Sequence, residues 1–123
     1  MLVRVSCGRG FCVFGLASVY PMGYNKPMLE MRQTEQYDQW FNRLRDRQAK
    51  ARIDVRIRRL SLGNPGDARS VGQGVSELRI DYGPGYRVYF TRRGELVVIL
   101  LAGGDKRTQG RDIKTAIELA GNL

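Results

Sequence analysis

The stretch that decides the fold is Val75-Ser-Glu-Leu-Arg-Ile-Asp-Tyr82, followed by Gly83-Pro84-Gly85 and Tyr86-Arg-Val-Tyr-Phe90. Apolar and polar residues alternate in both runs with the period of two that a half-buried strand requires. The glycines and proline between the runs are turn formers, so the sequence predicts a β-hairpin with a three-residue turn. In that register Tyr82 pairs with Tyr86.

The hairpin gathers charged and aromatic side chains on the face predicted to point away from the core. The expected register places Asp81 opposite Arg87 and Arg79 opposite Tyr89. Guanidinium groups are permanently charged and bind phosphate in a bidentate manner. The hairpin therefore predicts a phosphate-binding surface. The alternative is a cross-strand ladder of ion pairs that only stabilises the sheet.

Composition limits the classes of function. The chain has 123 residues, room for one domain, and a formal net charge of +9, which favours a polyanionic or acidic partner. It has no histidine, so a Ser-His-Asp triad and a histidine-bound zinc site are disfavoured. The two cysteines, Cys7 and Cys12, make no metal-ligand set and predict no disulfide framework. A reducing cytoplasm is the expected location.

Residues 1–27 differ from the rest of the chain. They contain no acidic residue, and the apolar run Phe11 to Val19 is too short to span a bilayer and lacks a signal-peptide cleavage site. We predict a disordered extension, or upstream sequence read from too early a start codon. Residues 28–123 are then the functional domain, which stays basic without the extension.

The remaining chain predicts an α+β fold in the order β-α-α-β-β-β-β-α, with a small antiparallel sheet and helices packed on one face. Thr34 and Asp46 are the expected N-caps of two helices, the second ending at Gly63. The other predicted elements are strands at 29–33, 68–71 and 96–102 and a last helix at about 108–120. Trp40 has the helical spacing of a core residue.

Three motifs occur in one order along residues 28–123. They are Leu62-Gly-Asn-Pro-Gly-Asp67, the block from Gly74 to Phe90, and Gly103-Gly-Asp-Lys-Arg-Thr-Gln109 with Asp112-Ile113. Together they resemble the RelE/ParE superfamily and, more narrowly, its HigB-related branch of "addiction module killer" toxins. The resemblance implies the RelE-like fold of microbial RNases. It also implies a type II toxin that cuts messenger RNA, often on the ribosome, with no metal or cofactor.

The resemblance also implies partners. These are a cognate antitoxin, expected to be a helix-turn-helix protein from an adjacent gene, together with mRNA and the ribosome. A toxin–antitoxin complex that binds promoter DNA is expected, and no membrane is involved. Two alternatives are a toxin that blocks DNA gyrase without cutting RNA, and an inactive module that only binds its antitoxin.

RNA cleavage by attack of a 2′-hydroxyl requires a base, cations for the phosphorane and an acid for the leaving oxygen. Arg87 and Arg79 suit the phosphorane charge, and Arg87 matches an active-site arginine of the similar toxins. Lys106 is the candidate base, because neighbouring cations favour a neutral amine. Tyr89 is a further candidate for proton transfer, with Asp81 and Glu77 as alternatives; each of these residues also has a purely structural interpretation.

Further basic residues are candidates for binding RNA phosphates. By the resemblance, Arg69 stands where similar toxins often carry a lysine, and Arg107 lies in the third motif. Lys50 and Arg58 belong to the arginine-rich surface of the second predicted helix. That surface is interpreted as a solvated face, with contact to ribosomal RNA as a second role.

Overall fold

The computed structural model describes residues 29–123 and the backbone of residues 3–5. These residues form one mixed sheet in the order β1-β2-β6-β5-β4-β3, with three helices. The strands are β1 (Val3–Val5), β2 (Glu30–Thr34), β3 (Ala68–Gly72), β4 (Val75–Ile80), β5 (Tyr86–Arg93) and β6 (Val97–Gly104). The helices are α1 (Glu35–Arg43), α2 (Arg47–Ser61) and α3 (Gln109–Gly121), and a 3-10 turn covers Lys106–Thr108.

The predicted α+β class and the order of elements from residue 28 onward are confirmed. Two details of the predicted architecture are wrong. The sheet is mixed, because β2 runs parallel to β6 while the other strand pairs are antiparallel. The chain reverses direction at each step from β3 through β4 and β5 to β6, and β6 then lies beside β2 and runs parallel to it. The helices also occupy both faces, because α3 packs opposite α1 and α2.

The larger core lies between the sheet and the α1–α2 pair. Thr34 and Asp46 cap the two helices as predicted: Thr34 Oγ1 accepts from the Tyr37 amide at 3.2 Å, and Asp46 Oδ1 accepts from the Gln48 amide at 2.9 Å. Trp40 packs against this core, as expected. The fully buried side chains here include Tyr37, Ile53, Ile57, Leu78, Val88, Val98 and Leu100.

The smaller core lies on the other face of the sheet, beneath α3, and it builds the candidate site. Its buried apolar members are Val75, Tyr89, Ile99, Leu101 and Ala116. We call this side of the sheet the α3 face. The face predicted to point toward water is therefore covered by a helix over part of its area.

A bulge in β6 sets which way the end of that strand faces. Phe90 pairs with Leu100 whereas Tyr89 pairs with Ala102, so Leu101 is the extra residue. The Leu101 carbonyl accepts a hydrogen bond from Thr34 Oγ1 at 2.7 Å. After the bulge, Gly104 lies opposite Arg87.

The hairpin forms as predicted, but its register is wrong by two residues. Ile80 pairs with Tyr86, and Arg79 pairs with Arg87. The loop is five residues long because Tyr82 leaves the ladder: its amide donates to the Ile80 carbonyl and its carbonyl accepts from the Gly85 amide at 3.1 Å. Gly83, at φ 59°, provides the left-handed conformation that this turn needs. Because the register shifts by two residues, every side chain of the two paired strands stays on the face of the sheet that was predicted for it.

Most of residues 1–27, including Cys7 and Cys12, lies outside the described residues, so the prediction of a disordered or mis-assigned extension stays a prediction. Within that segment the backbone of Val3–Val5 pairs antiparallel with β2. In the part of the chain that the structure describes, no helix is both long and apolar enough to cross a membrane.

Candidate functional site

A cavity of about 270 Å³ opens where the ends of β4 and β5 meet the 3-10 turn. We call it the arginine cavity. Three of the four residues predicted to be catalytic, Arg79, Arg87 and Lys106, lie in its wall. The complete lining is Asp67, Arg79, Ile80, Asp81, Gly85, Tyr86, Arg87 and Lys106.

Two adjacent cross-strand rows on the α3 face build the site. In one row Arg69, Glu77 and Tyr89 are neighbours across β3, β4 and β5. In the next row Arg79 lies beside Arg87. This pairing differs from the predicted one, in which each arginine faced either an aspartate or a tyrosine. The two guanidinium groups therefore pair with carboxylates outside their own row, Arg87 with Glu77 and Arg79 with Asp67.

Arg87 is anchored by a buried carboxylate. Its Nη1 donates to Glu77 Oε1 at 3.0 Å, and its side chain is only 11% exposed whereas that of Glu77 is fully buried. Arg87 Nε is buried and has no hydrogen-bond partner. The guanidinium is therefore fixed on one side and keeps hydrogen-bonding capacity that its protein neighbours do not use.

Glu77 is the centre of a larger network. Its Oε2 accepts from the Tyr89 hydroxyl at 3.0 Å and from Gln109 Nε2 at 2.8 Å. Arg69 Nε lies 3.5 Å from its Oε1. We call these five residues the Glu77 network; they join β3, β4, β5 and the first turn of α3. A buried carboxylate with this many donors keeps its hydrogen-bonding capacity satisfied.

Tyr89, the fourth predicted catalytic residue, is fully buried and does not line the cavity. Burial, followed by the nearby Glu77 charge and its hydrogen bond, raises the pKa of the Tyr89 phenol above its ordinary value of 10.0. Its hydroxyl therefore holds its proton and points at Glu77. This geometry favours positioning over proton transfer.

Arg79 forms an ion pair with Asp67. Its Nη2 and Nε lie 2.9 and 3.2 Å from Asp67 Oδ1. The hydrogen bond from Arg79 lowers the pKa of the Asp67 carboxyl, and the same bond raises the pKa of Arg79. Both side chains are exposed, so water and salt weaken this pair.

Sequence reasoning missed Asp67 and Gln109 as parts of the site. Asp67 ends the first motif and Gln109 ends the third, so their inclusion in those motifs was the available signal. Arg56 holds the Asp67 loop in place by donating to the carbonyl oxygens of Pro65 and Asp67 at 3.1 and 3.2 Å. Arg56 therefore clamps the backbone of this loop, a role that the interpretation of the arginine-rich surface of the second helix as a solvated face did not include.

Lys106 begins the 3-10 turn that leads into α3, and its side chain is exposed. Close packing behind it requires a glycine. A Cβ on Gly104 would lie 1.8 Å from Asp112 Oδ2. The Asp112 carboxylate accepts a hydrogen bond from Thr108 Oγ1. Gly104 thus lets the start of α3 approach the sheet beside Arg87.

The four residues predicted to bind phosphates lie outside the arginine cavity. Arg69 lies beside Glu77 at the β3 edge, and Arg107, 81% exposed, pairs with Asp105. Lys50 and Arg58 are on α2, which packs against the opposite face of the sheet. The Lys50 ammonium lies 5.3 Å from the centre of the Phe41 ring.

The lining of the arginine cavity has three cationic side chains and two carboxylates. Cations at the end of a sheet, with a carboxylate nearby, suit a phosphodiester and the additional charge of its transition state. Within residues 29–123, no cluster of three or more cysteine, aspartate or glutamate side chains is placed to hold a metal ion.

Comparisons with known proteins add a family. The family model described as phage derived protein Gp49-like (DUF891) matches residues 39–123. A protein of Haemophilus influenzae described as uncharacterized is 50% identical over 95 residues, which is 77% of this chain and 96% of that protein. No solved structure matches the chain.

Proposed function

The chain belongs to the Gp49-like family of phage-derived proteins, which is associated with toxin–antitoxin addiction modules, and we propose that it is a toxin that inhibits growth by cutting messenger RNA. The observation that carries the proposal is the arginine cavity, where Arg79, Arg87 and Lys106 face one small space. Two permanently charged guanidinium groups and an amine in that arrangement suit a ribonucleotide phosphate.

Arg87 is the proposed ligand of the scissile phosphate. Glu77 and the strand register hold its guanidinium at the cavity wall, so little conformational freedom remains to be lost on binding. Arg79 supplies a second cation from the neighbouring strand. Its exposed pair with Asp67 is weak enough for a phosphate to compete with the carboxylate.

Proton transfer is proposed for the exposed groups of the cavity. In its charged form Asp81 is an acceptor for the 2′-hydroxyl proton, and in its charged form Lys106 is a donor to the leaving 5′-oxygen. This reverses the role that the sequence suggested for Lys106. Glu77 and Tyr89 are buried in their shared network, so we propose that they position Arg87.

The proposed setting is the bacterial cytoplasm, with mRNA on the ribosome as substrate and no metal or cofactor. The proposed inhibitor is a cognate antitoxin, a helix-turn-helix protein from an adjacent gene. The two proteins together would bind their promoter DNA. The basic character of the chain, with 21 lysines and arginines against 12 acidic residues, suits both RNA and an acidic inhibitor.

The test is induced expression of the full chain in a bacterial host, with growth followed and transcript 5′ ends mapped. Wild type should arrest growth and create new mRNA ends, and Arg87→Ala should do neither. Because Arg87→Ala leaves Glu77 buried without its main cation, Lys106→Ala is the second variant, since the Lys106 side chain is exposed. Arg111→Ala, an exposed arginine on α3, is the matched control and should remain toxic.

The alternatives give different results. Growth arrest with intact transcripts, retained in both cavity variants, would overturn the endonuclease proposal in favour of a toxin that blocks gyrase. Normal growth on expression of soluble wild-type protein would indicate a module that only binds its antitoxin.

A further inference from the structure

A second and larger depression, of about 580 Å³, lies between α2 and the end of β4. We call it the α2 groove. The proposed cleavage of RNA makes no use of it. It is lined by Gln48, Ala51, Arg52, Val55, Arg56, Arg59, Ile80 and Asp81.

The floor of the α2 groove is apolar. Ala51 and Val55 are one helical turn apart on α2 and both are exposed, Val55 to 48%. Ile80, at the end of β4, also lines the groove but is only 4% exposed, so Ala51 and Val55 supply most of its accessible apolar surface. An apolar strip in a concave, exposed surface is typical of sites that receive the apolar side chains of another molecule.

The rim of the α2 groove is basic. α2 carries six lysines and arginines and a single acidic residue, Asp54. Within the described part of the chain, neither Arg52 nor Arg59 forms an ion pair with a carboxylate. Two guanidinium groups that form no ion pair, beside an apolar strip, are complementary to a segment with carboxylates on one side and apolar residues on the other.

Contacts of the hairpin loop and of Arg56 fix the elements around the groove. The Tyr82 hydroxyl lies 3.1 Å from Asp46 Oδ2 and 3.2 Å from Gln48 Oε1, which ties the loop to the start of α2. The Arg52 guanidinium lies 4.7 Å from the centre of the Tyr82 ring. Arg56 fixes the base of the groove by donating to the Arg79 carbonyl. A preformed groove reduces the entropy lost on binding.

We propose that the α2 groove docks an acidic amphipathic segment of a protein partner, with its apolar side chains on Ala51 and Val55 and its carboxylates on Arg52 and Arg59. An RNA ligand is disfavoured, because none of the lining side chains is aromatic and bases bind single-stranded sites chiefly by stacking on aromatic rings. A helix lying in a groove presents apolar anchors at the spacing that Ala51 and Val55 offer.

The α2 groove adjoins the arginine cavity. Ile80 and Asp81 line both. A segment docked in the groove therefore reaches the mouth of the cavity, and its carboxylates approach Arg79. Occupation of the groove is expected to restrict access to the cavity as well as to hold the partner.

The proposal can be tested with a random peptide library displayed on phage and selected against the full-length chain. The peptide that is most enriched is then synthesised, and its affinity is measured by fluorescence anisotropy. We expect an enriched sequence with acidic residues and apolar residues at helical spacing. Its affinity should fall at least about tenfold for Val55→Asp and for the Arg52→Glu, Arg59→Glu pair. Arg111→Glu, which reverses a charge on α3, should leave the affinity unchanged.

Val55, Arg52 and Arg59 are exposed, so these variants should stay folded, with at most a small loss in thermal midpoint from the lost Arg52 contact with the Tyr82 ring. The proposal is overturned if no peptide is enriched, if the enriched peptides lack acidic residues, or if Arg111→Glu weakens binding as much as the groove variants. It is also overturned if the arginine variants weaken binding of single-stranded RNA while Val55→Asp weakens binding of neither ligand, because the surface would then serve RNA. None of these readouts requires RNA cleavage.

Discussion

At the scale of single residues, Glu77 determines the candidate site. A carboxylate with no exposure is stable only when its charge is compensated, and Arg87 and Tyr89 on β5 and Gln109 on α3 compensate it. The same contacts fix Arg87 at the wall of the cavity. One buried anion therefore couples the stability of the fold to the geometry of the proposed phosphate ligand.

Glu77→Ala removes the anion and leaves the Arg87 guanidinium, 11% exposed, without its partner. We expect a loss of about 3 kcal/mol in the free energy of unfolding, because a buried charge without its partner is costly. Urea unfolding followed by circular dichroism measures this loss, with the exposed Arg111→Ala as the control. A Glu77→Ala midpoint equal to that of the control would show that the network contributes no stability.

The raised pKa of Tyr89 predicts that the free energy of unfolding depends on pH under alkaline conditions. Because burial raises its pKa in the folded protein above 10.0, the unfolded chain loses this proton first. The unfolded state then binds fewer protons, so stability falls as the pH rises above 10. The difference in thermal midpoint between wild type and Tyr89→Phe should narrow between pH 9 and pH 11. A constant difference across that range would contradict a buried, protonated Tyr89.

At the scale of elements, the β6 bulge and the two glycines after it join the sheet to its helices. Gly103 faces α1 and Gly104 faces α3. A Cβ on Gly103 would lie 2.2 Å from Trp40 Cε3. The bulge thus lets one strand end contact helices on both faces, which brings the 3-10 turn and Lys106 to the cavity.

Gly103→Ala should destabilise the fold by roughly 1–3 kcal/mol, because the Trp40 ring and α1 must move to accept the methyl group. Gly110→Ala is the matched control, since a Cβ there meets no atom within 4 Å and alanine favours the helix. Urea midpoints of the two variants should differ in opposite directions from wild type. Equal midpoints would mean that α1 does not pack closely on Gly103.

At this scale, most features that depend on short-range interactions were predicted correctly, and features that depend on contacts between distant segments were not. The N-caps at Thr34 and Asp46 and the hairpin itself depend on neighbours in sequence, and these predictions were confirmed. The predicted hairpin register was wrong because the register depends on the turn in which Tyr82 leaves the strand pairing. The parallel β2–β6 pair and the position of α3 depend on contacts between distant segments, which local patterns do not specify.

The candidate site was predictable to a similar extent. Arg79, Arg87 and Lys106, candidates from the sequence, line one cavity, and their catalytic roles stay predictions. The burial of Tyr89 was not foreseen, because alternation predicts the face of a side chain but not whether a helix will cover that face. The Asp67 pair required the return of the loop after α2, a contact across 12 residues of sequence.

At the scale of the whole molecule, two neighbouring concave sites both carry basic side chains. The arginine cavity is polar and suits phosphate, whereas the α2 groove has an apolar floor and suits a peptide. Ile80 and Asp81 lie between them. This arrangement is consistent with the two proposals, that RNA binds in the cavity and a protein partner in the groove.

The net charge of +9 predicts that RNA binding weakens with salt. Removing one phosphate contact by Lys106→Ala should reduce the slope of log affinity against log salt concentration by about 0.7, the value for one phosphate of a single strand. Arg111→Ala should leave the slope unchanged. Filter binding of a single-stranded RNA across a salt series measures the slopes of both variants. An unchanged slope for Lys106→Ala would show that Lys106 does not contact an RNA phosphate.

The central claim is that the arginine cavity cuts RNA by attack of the 2′-hydroxyl. The most direct measurement adds the purified full chain to mRNA on translating ribosomes and determines the chemical form of the new ends. We predict fragments with 2′,3′-cyclic phosphate ends for wild type and for Arg111→Ala, and intact RNA for Lys106→Ala and for folded Arg87→Ala. Intact RNA with wild type, or cleavage that persists in both cavity variants, would contradict the account.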